Sequence, residues 1–350
     1  MKQSFKIREQ AVGTDEPCFV IAEAGSNHNC DLQTALALID VAAEAKADAV
    51  KFQTFKASRL YTRQAGQSDY LGDPRSIYDI IELMEMPETW LPTLRDYAHA
   101  KGLAFISTPF HEEAVSLLNP FVDAFKIASY EMTHHPLLKE VAACGKPVIM
   151  STGAANEDEV EAALQVLKEA GCEELVLLQC TAAYPAPLES INILTIQTMR
   201  ERFGVPTGLS DHSRSPTVAP MTAAALQAAV IEKHYTLSNK LPGPDHGFAV
   251  EPSELNHLVA SVRDVEKVLG TGQKMVHGVE EELRHFARRS LFTTCDVKAG
   301  EQFSRANVDV LRRGTQAVGL DPAELEWVLA TCAARDLKAD QPLTREDARG

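Results

Sequence analysis

The 350-residue chain has no uncharged apolar run long enough to span a bilayer. Its first ten residues, MKQSFKIREQ, lack the apolar stretch of a secretory leader. None of its seven cysteines (18, 30, 144, 172, 180, 295 and 332) forms a CxxC pair. So odd and scattered a set, several of them inside apolar segments, reads as reduced core residues. Runs of Lys and Arg are missing too. With 34 Lys+Arg against 49 Asp+Glu the formal charge is −15, which weighs against nucleic acid and anionic membranes as partners. These absences predict a soluble cytoplasmic protein. A small anion would have to be held by a few lysines or arginines at defined points.

What is present is a rhythm. Short apolar runs ending in a polar residue alternate with amphipathic segments of helical period: CFVIAE (18–23), DAVKFQ (48–53), LAFIST (103–108), DAFKIAS (123–129), PVIMST (147–152), LVLLQCT (175–181), VPTGLS (205–210) and AVIEKH (229–234). Between them, segments such as 31–47, 88–102, 157–171 and 216–230 repeat apolar residues every three or four positions. Eight strand–helix units over roughly 250 residues predict an α/β fold, a (β/α)8 TIM barrel. No glycine fingerprint follows the first strand, which argues against a doubly wound dinucleotide fold. The expected organisation is a catalytic barrel over 1–270, a linker over 271–290 and a small domain over 291–350 with a turn at Lys298–Glu301. A hairpin within 4–16 is expected to close the barrel bottom. The long polar insertion 58–86 is expected to cover an active site.

In such a barrel, chemistry gathers at the strand ends. There the sequence places Glu23, Asn27, His28, Lys51, Gln53, Ser107, Thr108, Lys126, Ser129, Glu131, Ser151, Thr152, Thr181, Tyr184, Ser210, Asp211, His212, Glu232, His234, Asp245 and His246. Charged groups ending apolar strands are costly unless paired or met by ligand. His212 and His234 end neighbouring strands, as a divalent metal site with open positions would require, or are two unrelated histidines. Lys51 and Lys126 could anchor an anion, form a Schiff base, or pair with glutamates inside the barrel. The small hydroxyls suit phosphate oxygens but also cap helices. Tyr184 could meet a sugar or serve the loop. His134 and His135 read as structural.

Together the strings IAEAGSNHN (21–29), KFQTFKASRL (51–60), ISTPF (106–110), FKIASYE (125–131), KPVIMSTG (146–153), CTAAYPAP (180–187), GLSDHS (208–213), IEKHYT (231–236) and GPDHGFAVEP (243–252) resemble the N-acetylneuraminate (sialic acid) synthase family, which includes legionaminate and pseudaminate synthases. RRSLF (288–292) opens a tail similar to that family's antifreeze-like SAF domain. The resemblance covers nearly the whole chain. It implies condensation of phosphoenolpyruvate with an N-acylated hexosamine aldehyde, either N-acetylmannosamine or a 2,4-diacetamido-2,4,6-trideoxyhexose, releasing phosphate.

By the same resemblance, phosphoenolpyruvate contacts fall on Lys51, Thr108, Lys126, Ser129, Ser151 and Ser210. Sugar contacts fall on Glu23, Gln53, Glu131, Tyr184, Asp245 and Arg312. Metal ligands fall on His212 and His234, for manganese with magnesium or cobalt as substitutes. Catalysis falls on Glu23, Lys51, Lys126, His212 and His234, Glu23 positioning water or moving a proton. Arg312 would reach over from the partner of a domain-swapped homodimer. Two departures stand out: Ala182 replaces a frequent Asn or Ser, and Arg313 a frequent proline, so that Arg312 and Arg313 could exchange roles. KFQTFKASRL and GPDHGFAVEP look closer to the neuraminate and legionaminate branches than to the pseudaminate one. The alternatives are a pseudaminate-branch synthase, a metal-dependent pyruvate aldolase on the same barrel, a synthase for a phosphorylated sugar, and an idle sugar-binding protein.

Overall fold

A computed structural model describes residues 1–67 and 74–350. The strands, in chain order, are β1 (Ser4–Ile7), β2 (Gln10–Gly13), β3 (Phe19–Gly25), β4 (Ala49–Thr54), β5 (Ala104–Pro109), β6 (Ala124–Ile127), β7 (Val148–Ser151), β8 (Leu175–Cys180), β9 (Thr207–Asp211), β10 (Val230–His234), β11 (Arg289–Thr293), β12 (Val308–Arg312), β13 (Cys332–Ala333) and β14 (Ala348–Arg349). Strands β3 to β10 close into a parallel barrel in sequence order, β10 pairing with β3. The helices are α1 (Leu32–Glu44), α2 (Ala57–Leu60), α3 (Ile77–Glu82), α4 (Leu91–Ala100), α5 (Glu112–Leu118), α6 (His135–Ala143), α7 (Glu157–Glu169), α8 (Thr195–Phe203), α9 (Val218–Ala225), α10 (Pro252–Leu269), α11 (Glu281–Ala287) and α12 (Leu325–Leu329). The fold is a TIM barrel, as the strand–helix rhythm predicts. Among the described residues no helix is long and apolar enough to cross a membrane.

Local chemistry sets the element ends. Asp31 caps α1 by accepting from the Thr34 amide, and Asn156 with Glu159 forms a reciprocal capping box on α7. Gly204, with φ of 63°, ends α8 in the left-handed conformation. The α9 segment is shorter than its apolar pattern suggests. Its helix stops at Ala225 and Gln227 turns at φ 58°, because the residues that follow are needed for β10.

The expected hairpin is β1–β2, paired antiparallel from Ser4–Gly13 to Ile7–Gln10. Its Phe5, Ile7 and Val12 join Phe19, Ile106, Ile149 and Val176 in one buried cluster, so the hairpin fills one end of the barrel core. The other strand face packs against the helices, through Val20, Val50, Phe105 and Phe125. Each barrel strand therefore buries both faces, as a parallel sheet requires.

The chain divides into two compact units, Met1–Gly270 and Thr271–Gly350. The second has its own apolar core, including Leu291, Phe303, Val308, Val328 and Leu343. It also holds an internal repeat that the sequence reading missed: Asp296-Val-Lys-Ala-Gly and Asp336-Leu-Lys-Ala-Asp. Val297 and Leu337 bridge each other, Lys298 pairs with Asp336, and Lys338 pairs with Asp296. The two aspartates also accept from the Ala339 and Ala299 amides. The expected turn is here: Glu301 N–H donates to Lys298 O at 2.9 Å, with Gly300 at φ 81°.

Candidate active site

Period-two alternation decides which strand residues face inward. On β4 it turns Lys51 and Gln53 to the same side, on β9 and its end Ser210 and His212, and on β10 Glu232 and His234. The barrel register sets Glu23 beside both Lys51 and His234. At Gly25 the β3–β4 register shifts, and Gly25 lies at φ 54°. A β-carbon there would come within 3.2 Å of Asp245 Oδ2, so glycine is what lets the β3 loop bend over the site.

At the centre are two lysines and two glutamates, all buried. Lys51 Nζ lies 2.7 Å from Glu23 Oε2 and 3.7 Å from Glu232 Oε2. Lys126 Nζ lies 3.8 Å from Glu232 Oε1. Lys51 also donates to Thr108 Oγ1 at 3.3 Å, and Lys126 to Ser151 Oγ at 2.6 Å. Ser210 Oγ donates to Glu232 Oε1 at 2.9 Å, and Gln53 Nε2 to Glu23 Oε1 at 2.9 Å. Ser129 Oγ accepts from the Gly153 amide and lies 3.6 Å from Cys180 Sγ. A β-carbon on Gly153 would sit 2.8 Å from that hydroxyl oxygen. Lys51, Thr108, Lys126, Ser151 and Ser210 thus meet in one network, while Ser129 contacts Gly153 and Cys180.

Burial and pairing push these groups apart. Burial holds the Glu23 carboxyl above its usual range although Lys51 opposes it. Glu232, equally buried, is held below its usual range by Lys126 and Lys51. Burial lowers Lys126, while Lys51 stays above the usual lysine value because Glu23 and Glu232 outweigh burial. One carboxyl is biased towards its acid form and its neighbour towards its base form.

His212 and His234 stand with ring centroids 5.4 Å apart. His212 Nδ1 donates to Thr181 O at 2.9 Å, so Nε2 is the nitrogen a cation would take in place of a proton. Against burial, Cys180 and the Thr181 carbonyl hold this imidazole above its usual range. Burial drives the His234 imidazole well below its normal range, so it is neutral, and its buried Nδ1 makes no hydrogen bond. Tyr184 stacks on His212 at 4.1 Å, and Phe248 closes on His234 at 5.1 Å. Two facing imidazoles, one held by a backbone carbonyl and the other neutral with an unbonded nitrogen, fit a divalent cation that would displace a proton from the first. Among the described residues, no three His, Cys, Asp or Glu side chains are grouped to hold a metal ion. A cation would therefore fill its remaining positions from elsewhere.

Beside this centre opens a cavity of about 790 Å³, lined by Gln53, Glu131, Tyr184, His234 and Asp245 among others. Burial raises Glu131 to about 7 and Asp245 to about 6. The insertion 58–86 borders it through Leu60, Tyr61, Ile77, Ile81 and Met84. The insertion is polar in composition, yet the side it turns to the cavity is mostly apolar; its residues 68–73 lie outside the described residues. Ala182 also lines the cavity.

Other strand-end candidates serve the frame. Asp211 turns to the opposite strand face and pairs with buried Lys233 at 2.7 Å. Asn27 Nδ2 donates to Tyr235 O. His246 bridges Thr236 and Asn29. Ser107 and Thr152 bond strand carbonyls. His134 caps α6, accepting from the Leu137 amide. Arg312 lies in the second unit, exposed at the end of β12, whereas Arg313 is tied to His285 O. Glu232 received no role from sequence; its place two residues before His234, on the same strand face, was the available signal.

Two family matches span most of the chain: the NeuB family over residues 38–274 and the SAF domain over 288–349. The spore coat polysaccharide biosynthesis protein SpsE of Bacillus subtilis is 41% identical over 361 aligned residues, covering 98% of this chain and 97% of that protein. An N,N'-diacetyllegionaminic acid synthase of Legionella pneumophila is 38% identical, covering 95% of each. The crystal structure of a sialic acid synthetase from Leptospira borgpetersenii, in complex with citrate, matches with a TM-score of 0.72 at 32% identity, over 81% of this chain and 96% of that one.

Proposed function

The chain belongs to the NeuB family, and we propose that it condenses phosphoenolpyruvate with an unphosphorylated N-acylated hexosamine, releasing phosphate and a sialic-acid-type sugar. The acceptor is N-acetylmannosamine or a 2,4-diacetamido-2,4,6-trideoxyhexose. The observation that carries this reading is the cluster of Lys51, Lys126, Glu23 and Glu232, with charge pairs of 2.7 to 3.8 Å, on the barrel rim that also bears His212 and His234.

Lys51 and Lys126, with Thr108, Ser129, Ser151 and Ser210, take the phosphate and carboxylate oxygens. In the free site Lys51 and Lys126 are both paired with the Glu232 carboxylate, and Lys51 also with the Glu23 carboxyl. An incoming anion therefore competes with Glu23 and Glu232 for the same ammonium groups, and further positive charge favours its entry. His212 and His234 would hold manganese, or magnesium or cobalt, and such a cation polarises the acceptor's aldehyde. Gln53, Glu131, Tyr184 and Asp245 hold the open-chain acceptor with its C1 facing phosphoenolpyruvate C3.

Bond formation between these carbons leaves negative charge on the aldehyde oxygen, which takes up a proton to become a hydroxyl. Water then adds at C2, and the C2–O bond to phosphate breaks to leave the keto acid. Glu23, biased towards its acid form and bordered by Gln53, is placed to deliver and recover protons at these oxygens. The lysines stabilise the departing phosphate. We further propose a domain-swapped homodimer in which Arg312 of the partner subunit meets the N-acyl group. The exposure of Arg312, against the tethering of Arg313 to His285 O, supports that choice.

The test is phosphate release from phosphoenolpyruvate with manganese, across both acceptors, with pyruvate replacing phosphoenolpyruvate and a 6-phosphorylated sugar as controls. Release that depends on an unphosphorylated N-acyl sugar is expected. Product formed from pyruvate without phosphate release would establish the aldolase instead.

A further inference from the structure

The acceptor cavity divides into two chemistries by origin. Its polar groups Ser26, Gln53, Glu131, Tyr184, His234 and Asp245 come from strand ends and the loops just beyond them. The wall contributed by the β4 insertion is mostly hydrocarbon: Leu60, Ile77, Ile81 and Met84, with Phe55 and Phe110 beside it. No lysine or arginine lines the cavity among the described residues. Leu60, Ile77, Ile81 and Met84 are half-buried, their remaining exposure available to the cavity they line.

This wall is anchored. Phe55 and Phe110 meet edge to face at 5.6 Å. Ser26 Oγ lies 3.6 Å from Met84 Sδ, tying the insertion to the β3 loop. The Ala57 amide donates to Glu85 Oε1 at 2.7 Å, and Lys56 lies 3.3 Å from Glu85 and 3.4 Å from Glu88. The Ile77 amide donates to Gly66 O at 2.9 Å. Hydroxyls at the rim belong to Tyr61 and Tyr130, which are 40% and 62% exposed and so stay within reach of water.

We propose that Leu60, Ile77, Ile81 and Met84 are specificity-determining residues that select an acceptor ending in a methyl group over one ending in a hydroxymethyl or phosphate group. This rests on the synthase reading above. A hydroxyl pressed on these four side chains loses its water and finds no strong donor or acceptor on them, Ser26 Oγ being turned to Met84 Sδ, whereas a methyl group fills the same space without that loss. A phosphate on this wall would meet no lysine or arginine of the barrel among the described residues.

The experiment compares N-acetylmannosamine with its 6-deoxy counterpart, which differ only by the terminal oxygen. Two measurements are made on each: kcat/KM for phosphate release, and direct binding of the sugar by calorimetry. The expected result is a preference of roughly 10- to 100-fold for the 6-deoxy sugar, the scale on which apolar pockets discriminate single groups. The Ile81→Asn and Met84→Gln variants should narrow that ratio, their folding checked by a cooperative melting transition. Equal use and equal binding of the two sugars, or a preference for the hydroxylated one, overturns the proposal. Absence of phosphate release with every sugar, accompanied by tighter binding of the 6-deoxy form, would sink the synthase reading and leave the selective wall standing.

Discussion

Glu131 is buried, borders the acceptor cavity, and has one carboxylate oxygen, Oε2, that accepts no hydrogen bond. Burial lifts its pKa from 4.5 to about 7. The native state therefore holds this proton more tightly than the unfolded chain does. Its contribution is fully present below the unfolded pKa of 4.5 and is lost as pH rises through about 7. On the ligand-free protein, the melting temperature of wild type should fall between pH 5 and pH 8 more than that of Glu131→Gln. The difference corresponds to on the order of 2–3 kcal/mol. Parallel curves for the two proteins would show that Glu131 is ionised throughout. His212 permits a second test at this scale. Its Nδ1 is committed to Thr181 O, so removing the ring takes away one of the two imidazoles proposed to hold the metal, together with the partner of one backbone carbonyl. His212→Ala should lose manganese binding by calorimetry, abolish turnover, and still melt cooperatively within several degrees of wild type, the loss being one buried ring and its bond to Thr181 O. Unchanged manganese affinity would remove His212 from the proposed metal site.

The junction of β9 and β10 shows how little freedom the barrel leaves at one position. A β-carbon on Gly208 would lie 2.0 Å from Val230 O, in the strand that pairs with β9. No rotamer relieves a clash with backbone, so Gly208→Ala must spread the strands that carry Ser210, His212, Glu232 and His234. Urea unfolding should show a loss of about 3 kcal/mol or more, or no soluble protein. A loss under about 0.5 kcal/mol, the size of an ordinary surface change, would mean that the strands separate without cost. Such constraints explain what the sequence made legible. Strands β3 to β10 were readable because each is a short apolar run bounded by turn residues and followed by a helical period. Inward-facing Gln53, Ser210 and His234 were readable because they end those runs, and Lys51 because it is a charge inside an otherwise apolar one. Asp211 was not separable from Ser210 and His212 by position at a strand end; only the alternation of faces sends it towards Lys233. The repeat around Asp296 and Asp336 escaped because its reciprocal ion pairs become visible only when both turns are folded together. The apolar side of the insertion was hidden within a segment whose average is polar.

At the scale of the whole molecule, the barrel and the second unit each carry a core of their own. Deleting residues 271–350 should therefore leave a cooperatively folded barrel, by circular dichroism and melting, with the KM for the sugar raised and that for phosphoenolpyruvate little changed. The proposed swap gives this loss a sharper test. In a domain-swapped dimer each site combines one subunit's lysines with the other subunit's Arg312. Suppose Lys126→Ala and Arg312→Ala are each inactive or nearly so. A dimer formed from one of each then places both defects in a single site and leaves the other site intact. Co-expressing the two chains, or mixing them through dissociation and reassembly, should restore about a quarter of wild-type activity if subunits pair at random, because half the dimers are mixed and each has one working site. The control is Lys126→Ala mixed with Lys51→Ala, which leaves every site with a defective barrel and should restore nothing. If Arg312 instead served the barrel of its own chain, the first mixture would be as inactive as the control. Sedimentation of the same samples would show whether mixed dimers had formed, so that inactivity of a confirmed mixed dimer counts against the swap itself.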